Sequence, residues 1–204
     1  MTTSYRIPAA THRSETTVAN SLFITSIAYA PSVEQAKTFL SQIREEMPDA
    51  SHHVYAFRVG YGNSVIEGMS DDGEPSGTAG PPVLSVLRGT DIGDIIIVVT
   101  RYFGGTKLGT GGLVRAYSEA ARTALNTLPT EIKIEKRTFG IECPYPFYEQ
   151  VKRLVHQHGG TIEDEDFAAE VLLVVVFPVD RITAFESEIS ELTAGNVVPV
   201  PLDS

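Results

Sequence analysis

The spacing of apolar positions changes several times along the chain, and each change marks an element. Residues 16–29 carry β-branched and aromatic side chains with little helical periodicity and predict a first strand, ended by Pro31 and Ser32. Ser32 followed by Gln35 is a capping-box pattern, and Val33, Ala36, Leu40, Ile43 and Met47 recur at helical spacing up to Pro48. That predicts an amphipathic helix with one buried face. His52–Val59 alternates as a strand, Gly60–Asn63 reads as a turn, and Ser64–Met69 returns as the second arm of a hairpin. A loop rich in Gly, Pro, Asp and Ser follows, and at Gly80–Pro81 a helix begins whose apolar side is Val83, Leu84 and Leu87. Asp94–Thr100 is an almost continuous β-branched run. After it come Gly104, Gly105, Gly109, Gly111 and Gly112, then a helix from about Gly112 to Leu128 with Leu113, Tyr117, Ala120, Ala124 and Leu128 on one face.

From Glu131 a strand runs to Cys143, but Ile132 and Ile134 are even-numbered whereas Phe139, Ile141 and Cys143 are odd. A period-two strand cannot hold both sets on one face, so a domain junction is expected between Glu135 and Thr138. The division is then 1–134, with a core at about 16–128, and 135–204. In the second part, Phe147, Val151, Leu154 and Val155 predict a helix, Thr161–Asp166 and Ala168–Phe177 a hairpin, and Asp180 the cap of a helix carrying Ile182, Phe185, Ile189 and Leu192. Asn196–Val200 completes a βαββαβ order, the ferredoxin-like pattern. The fold class is therefore α+β in two domains.

Charge sharpens this division. The formal net charge is −10, and residues 131–204 hold 6 Lys+Arg against 14 Asp+Glu, so the excess acidity lies in the last third. Between Arg101 and Arg122 the balance reverses, with Arg101, Lys107, Arg115 and Arg122 against Glu119 alone. The glycine loop is locally positive in an acidic chain. No apolar run approaches the ~20 residues of a membrane helix, and the polar start has no secretory core, so a cytoplasmic protein without membrane contact is expected. Cys143 is the only cysteine, and no Cys/His cluster suggests a zinc site; no metal or cofactor is expected.

Strand, basic glycine loop and helix start form an arrangement whose free N–H groups can face an anion. The Walker pattern fails, because Gly104 is followed five residues later by Gly109–Thr110 without the lysine, and the dinucleotide fingerprint lacks its third glycine. Two readings stay open: an anion or nucleic-acid site at Arg101, Lys107, Gly109, Gly111, Gly112 and Arg115, or glycines that only make turns. An alternative polar site groups His53 with Asp71, Asp72 and Glu74. Their spacing matches no calcium loop, and His52 and His53, adjacent on a strand, face opposite ways. Carboxylates that cap the next helix and solvate a turn are the competing explanation.

Ser70–Leu84 (SDDGEPSGTAGPPVL), Val99–Tyr117 (VTRYFGGTKLGTGGLVRAY) and the pair His52–His53 closely resemble the signature of the IMPACT family in its bacterial two-domain form. The resemblance implies an N-terminal fold shared with the second domain of small-subunit ribosomal protein five and domain IV of elongation factor G, and a C-terminal part like domain V of that factor. It also implies a role in translational control. Eukaryotic relatives act there by competing for a ribosome-associated activator of a kinase, using an RWD domain that has no counterpart in these 204 residues. Where family members often carry Lys-Ser-Arg-Phe-Ile, this chain has Asn20-Ser21-Leu22-Phe23-Ile24, so two basic residues are absent. The expected function is a non-enzymatic regulator of translation or of a stress response that binds RNA, the ribosome or a translation-associated protein. The alternative is an enzyme for a small anionic or phosphorylated substrate at the two glycine-rich loops.

Overall fold

A computed structural model describes residues 4–62 and 64–202. The turn expected at Gly60–Asn63 includes Asn63, which lies outside the described residues, as do the extreme ends of the two expected domains. The contacts divide the described residues into Tyr5–Lys133 and a second unit that holds 134–202 together with Ser4.

In the first unit the strands are β1 (Tyr5–Pro8), β2 (His12–Val18), β3 (Ser21–Tyr29), β4 (His52–Val59), β5 (Ile66–Ser70), β6 (Ile95–Tyr102) and β7 (Thr130–Lys133), and the helices are α1 (Val33–Glu46), α2 (Gly80–Arg88) and α3 (Gly109–Thr127). Five strands form an antiparallel sheet in the order β2-β3-β6-β4-β5, and β1 pairs with β7 in a separate ribbon. The central strand explains its own sequence. Ile95, Ile97 and Val99 pack with α2 and α3, while Ile96 and Val98 pack with α1 on the other face, so both phases must be apolar.

Two expectations change here. Residues 16–29 are not one strand but two arms of a hairpin, turned at Ala19 and Asn20 with φ of 44° and 65°. Positive φ at both central positions gives the twist a two-residue hairpin needs. Likewise, Glu131–Cys143 is not one strand. β7 pairs with β1, whereas β8 (Lys136–Cys143) belongs to another sheet, and Ile132 and Ile134 are 57% and 47% exposed instead of buried. α3 also begins three residues before its expected start.

The second unit contains β8, α4 (Tyr148–Gln157), β9 (Thr161–Phe167), β10 (Val171–Pro178), α5 (Ile182–Thr193) and β11 (Val200–Pro201), with sheet order β11-β8-β10-β9. Phe139, Ile141, Val171, Leu173, Val175 and Phe177 bury one sheet face together with Val151, Val155, Phe185 and Ile189 of the helices. Asp180 does not cap α5: it sits in a short 3-10 turn, and no side chain caps that helix. The last strand is shorter than expected because Pro199 and Pro201 have no N–H to donate; Leu202 N donating to the Thr138 carbonyl (2.9 Å) prolongs the contact.

Candidate functional site

The two glycine-rich segments meet at a buried ion pair. Arg101, the seventh residue of β6, is 4% exposed, and its Nη1 donates to Glu74 Oε1 at 2.6 Å. Tyr117 of α3 donates its hydroxyl to the same oxygen at 2.8 Å, and His52 Nε2 lies 3.8 Å from it. Burial first, and the Glu74 bond second, push the Tyr117 phenol far above its ordinary pKa, so it remains a donor. Arg101 Nη2 donates to Ser21 Oγ, while its Nε finds no partner among the described residues. The guanidinium carbon lies 5.5 Å from the ring centres of both Phe23 and Phe103. Arg101, counted in the sequence among the cations of the loop, is therefore held internally and is not an exposed charge.

Around this pair opens a cavity of about 250 Å³, lined by Glu74 and Pro75 from one segment and by Arg101, Phe103, Lys107, Leu108, Gly109, Thr110 and Leu113 from the other. Phe103 is 49% exposed, and Lys107 and Arg115 are exposed and form no ion pair among the described residues. The first turn of α3 has neither a side-chain cap nor a carboxylate, which leaves its leading N–H groups free. Gly109 has φ of 70°, where a side chain is strained, and a Cβ on Gly104 would overlap the Asn20 carbonyl. Those two glycines are required by the backbone. Gly112 is constrained by the Leu108 Cβ at 3.1 Å, but a Cβ on Gly111 would meet nothing within 4 Å.

The other carboxylates of the first loop are placed differently. Asp71 accepts from the N–H groups of Gly77, Ala79 and Gly80 at 2.8–3.0 Å and caps α2; burial acts to raise its pKa, but these donors prevail and lower it. Asp72 accepts from Arg44 and from the His53 N–H, both at 2.6 Å. The His53 ring lies 3.1 Å from Thr100 Oγ1, and burial above all lowers its pKa. Neither Asp71, Asp72 nor His53 lines the cavity; of the alternative polar group, Glu74 alone does. No group of three or more potential metal ligands occurs among the described residues. The sequence did not single out Phe103 or Tyr117 for the site. Their position two residues after Arg101 and in the first turns of a glycine-led helix is the signal that was available.

Residues 19–125 match the Impact N-terminal domain, more than half of the chain, and residues 141–196 match a domain of unknown function, DUF1949. The chain belongs to the IMPACT family. The Escherichia coli IMPACT family member YigZ is 39% identical over 195 residues, covering 95% of this chain and 96% of that one. A Haemophilus influenzae IMPACT family member is 38% identical with 95% of each covered. A crystal structure of a hypothetical protein, 38% identical and covering 98% of both chains, superposes with a TM-score of 0.73. Among the described residues no helix is long and apolar enough to cross a membrane.

Proposed function

We propose that this IMPACT family protein regulates translation by binding RNA, free or in the ribosome, at the face formed by Lys107, Arg115 and the first turn of α3. The observation that carries this reading is the pairing of two uncompensated cations with an uncapped helix N-terminus, in a protein whose net charge is −10. An acidic chain gains little from non-specific attraction to phosphate, so a local positive face has to supply it. Titrating labelled single-stranded RNA at several salt concentrations tests this. With three phosphate contacts the slope of log K against log salt is about −2, and replacing Lys107 and Arg115 by alanine reduces its magnitude by about 1.4. Absence of binding at low salt, or an unchanged slope in the double variant, would refute RNA binding and leave a translation-associated protein as the partner.

One feature favours a second reading, turnover of a small phosphorylated substrate: Glu74 shares its cavity with Lys107 and Gly109. A phosphate-release assay over nucleotides and sugar phosphates decides it. Turnover lost in a Glu74→Gln variant that circular dichroism shows to be folded supports an enzyme; no turnover with any of them ends that reading.

A further inference from the structure

Resting on the RNA reading, we infer that the cavity is a seat for one unstacked nucleobase of single-stranded RNA, whose phosphate lies on Lys107 and the first turn of α3. Its size is the first reason. At about 250 Å³ it falls below the ~300 Å³ at which pockets begin to enclose a whole drug-sized ligand, but it accommodates one planar ring system projecting from a larger molecule. Its walls are the second. Pro75, Phe103, Leu108 and Leu113 supply apolar surface, and the half-exposed Phe103 ring is backed by the Arg101 guanidinium. Arginine and aromatic planes of this kind are the platforms on which unpaired bases stack.

The polar groups narrow the ligand further. Among the described residues both hydrogen bonds on the Glu74 carboxylate fall on Oε1, from Arg101 and Tyr117, so Oε2 can accept from an amino or ring N–H on a base edge. Arg101, more than nine-tenths buried, lines the cavity, and its Nε–H has no partner among the described residues. On the rim, Lys107 and the free N–H groups of α3 favour an anion. An apolar side chain of a protein partner would satisfy the walls but neither the floor nor the rim. A nucleotide joins a flat ring, a donor edge and a phosphate in one unit.

Gly111 is the independent mark of a close approach. Its φ is not in the left-handed region and no atom crowds its missing Cβ, so the fold itself would accept alanine, which forms helix better. A glycine that the protein's own packing does not demand, exposed and next in sequence to Thr110 of the cavity wall, leaves room for the ligand's backbone.

The test uses the full chain and fluorescence anisotropy with a labelled adenosine decamer and an abasic ribose-phosphate decamer of equal length. The adenosine decamer should bind about 5- to 150-fold tighter, and Phe103→Ala should abolish that difference while the weaker abasic binding persists. Gly111→Ala should weaken both ligands at least several-fold with Tm unchanged or raised. Equal binding of the two decamers with normal salt dependence overturns the base seat and leaves RNA binding standing. No binding of either decamer overturns both. A preference that survives Phe103→Ala, in a variant whose circular dichroism and Tm show it folded, also overturns the seat.

Discussion

Replacing Glu74 by glutamine isolates the interaction at the centre of the site. The substitution keeps shape and an acceptor for Tyr117 but removes the charge facing Arg101, whose side chain is 5% exposed against 4% for Glu74. Breaking a buried pair by neutralising one partner leaves an uncompensated charge and costs about 3–5 kcal/mol. That is a large share of the roughly 5–15 kcal/mol that stabilises a domain, and with an m-value of about 2 kcal/mol/M it lowers the urea midpoint on the order of 2 M. The chain has no tryptophan, so near-ultraviolet circular dichroism of its tyrosines, including the fully buried Tyr117, is a suitable probe of the first unit. The paired substitution Glu74→Leu with Arg101→Met removes both charges and should recover part of the loss, since apolar residues of similar volume replace buried ion pairs at little cost, while the buried Tyr117 hydroxyl, left without its acceptor, keeps about 1–3 kcal/mol of it. A loss below about 1 kcal/mol in Glu74→Gln, or a double variant no more stable than the single one, would show that the pair is solvated and that this account of the cavity floor is wrong.

Three further outcomes concern other parts of the molecule. Burial chiefly depresses His53, and hydrogen bonds from Lys133, Gly60 and Tyr5 overcome the effect of burial to depress Asp94. Both groups bind protons more readily when unfolded, so stability is fully present above pH about 6.5. It declines first as His53 of the unfolded chain takes up a proton, and again below about pH 4 through Asp94 and Asp71; denaturant titrations from pH 8 to 3 should show both steps, and Asp94→Asn should diminish the lower one. Cys143 is fully buried and its thiol is pushed up mainly by burial, so a thiol reagent at pH 8 should react with the native protein at least about 100-fold more slowly than with the urea-unfolded chain; rapid native labelling would mean that the second unit opens readily. Gly104→Ala forces a Cβ into the Asn20 backbone and should cost about 1–3 kcal/mol by thermal unfolding, whereas an unchanged Tm would show the loop free to move aside.

The sequence made the long elements legible and the short ones not. α1 was readable from Ser32, whose Oγ accepts from the Gln35 N–H at 3.2 Å, and from a stripe of apolar residues. The β2–β3 turn was hidden because Ala-Asn lacks the glycine that usually announces positive φ at both positions. The β1–β7 ribbon was missed because four-residue strands carry too few alternations to stand out; it is fixed from outside the pattern by Asp94, which accepts from Tyr5 and Lys133. At the site, residue types indicated that charge gathered in the glycine loop, but only packing reveals that Arg101 turns inward to Glu74 while Lys107 and Arg115 remain outside. Position in sequence does not encode that difference.

The inward turn of Arg101 also bears on why the pair exists. If an apolar pair would serve stability as well, the charges need another use, and the geometry offers one: the pair joins the loop carrying Glu74 to the strand carrying Arg101, and sets the guanidinium over Phe103 and the carboxylate at the cavity floor. Geometric specificity is then what the ion pair contributes. The Glu74→Leu, Arg101→Met variant separates the two roles. It should remain folded and keep the salt-dependent affinity for abasic ribose-phosphate, because Lys107, Arg115 and the α3 N–H groups are intact. Yet it should lose the preference for the adenosine decamer, since the base edge has no acceptor and Phe103 no cationic backing. A double variant that keeps this preference would confine the pair to a purely structural role.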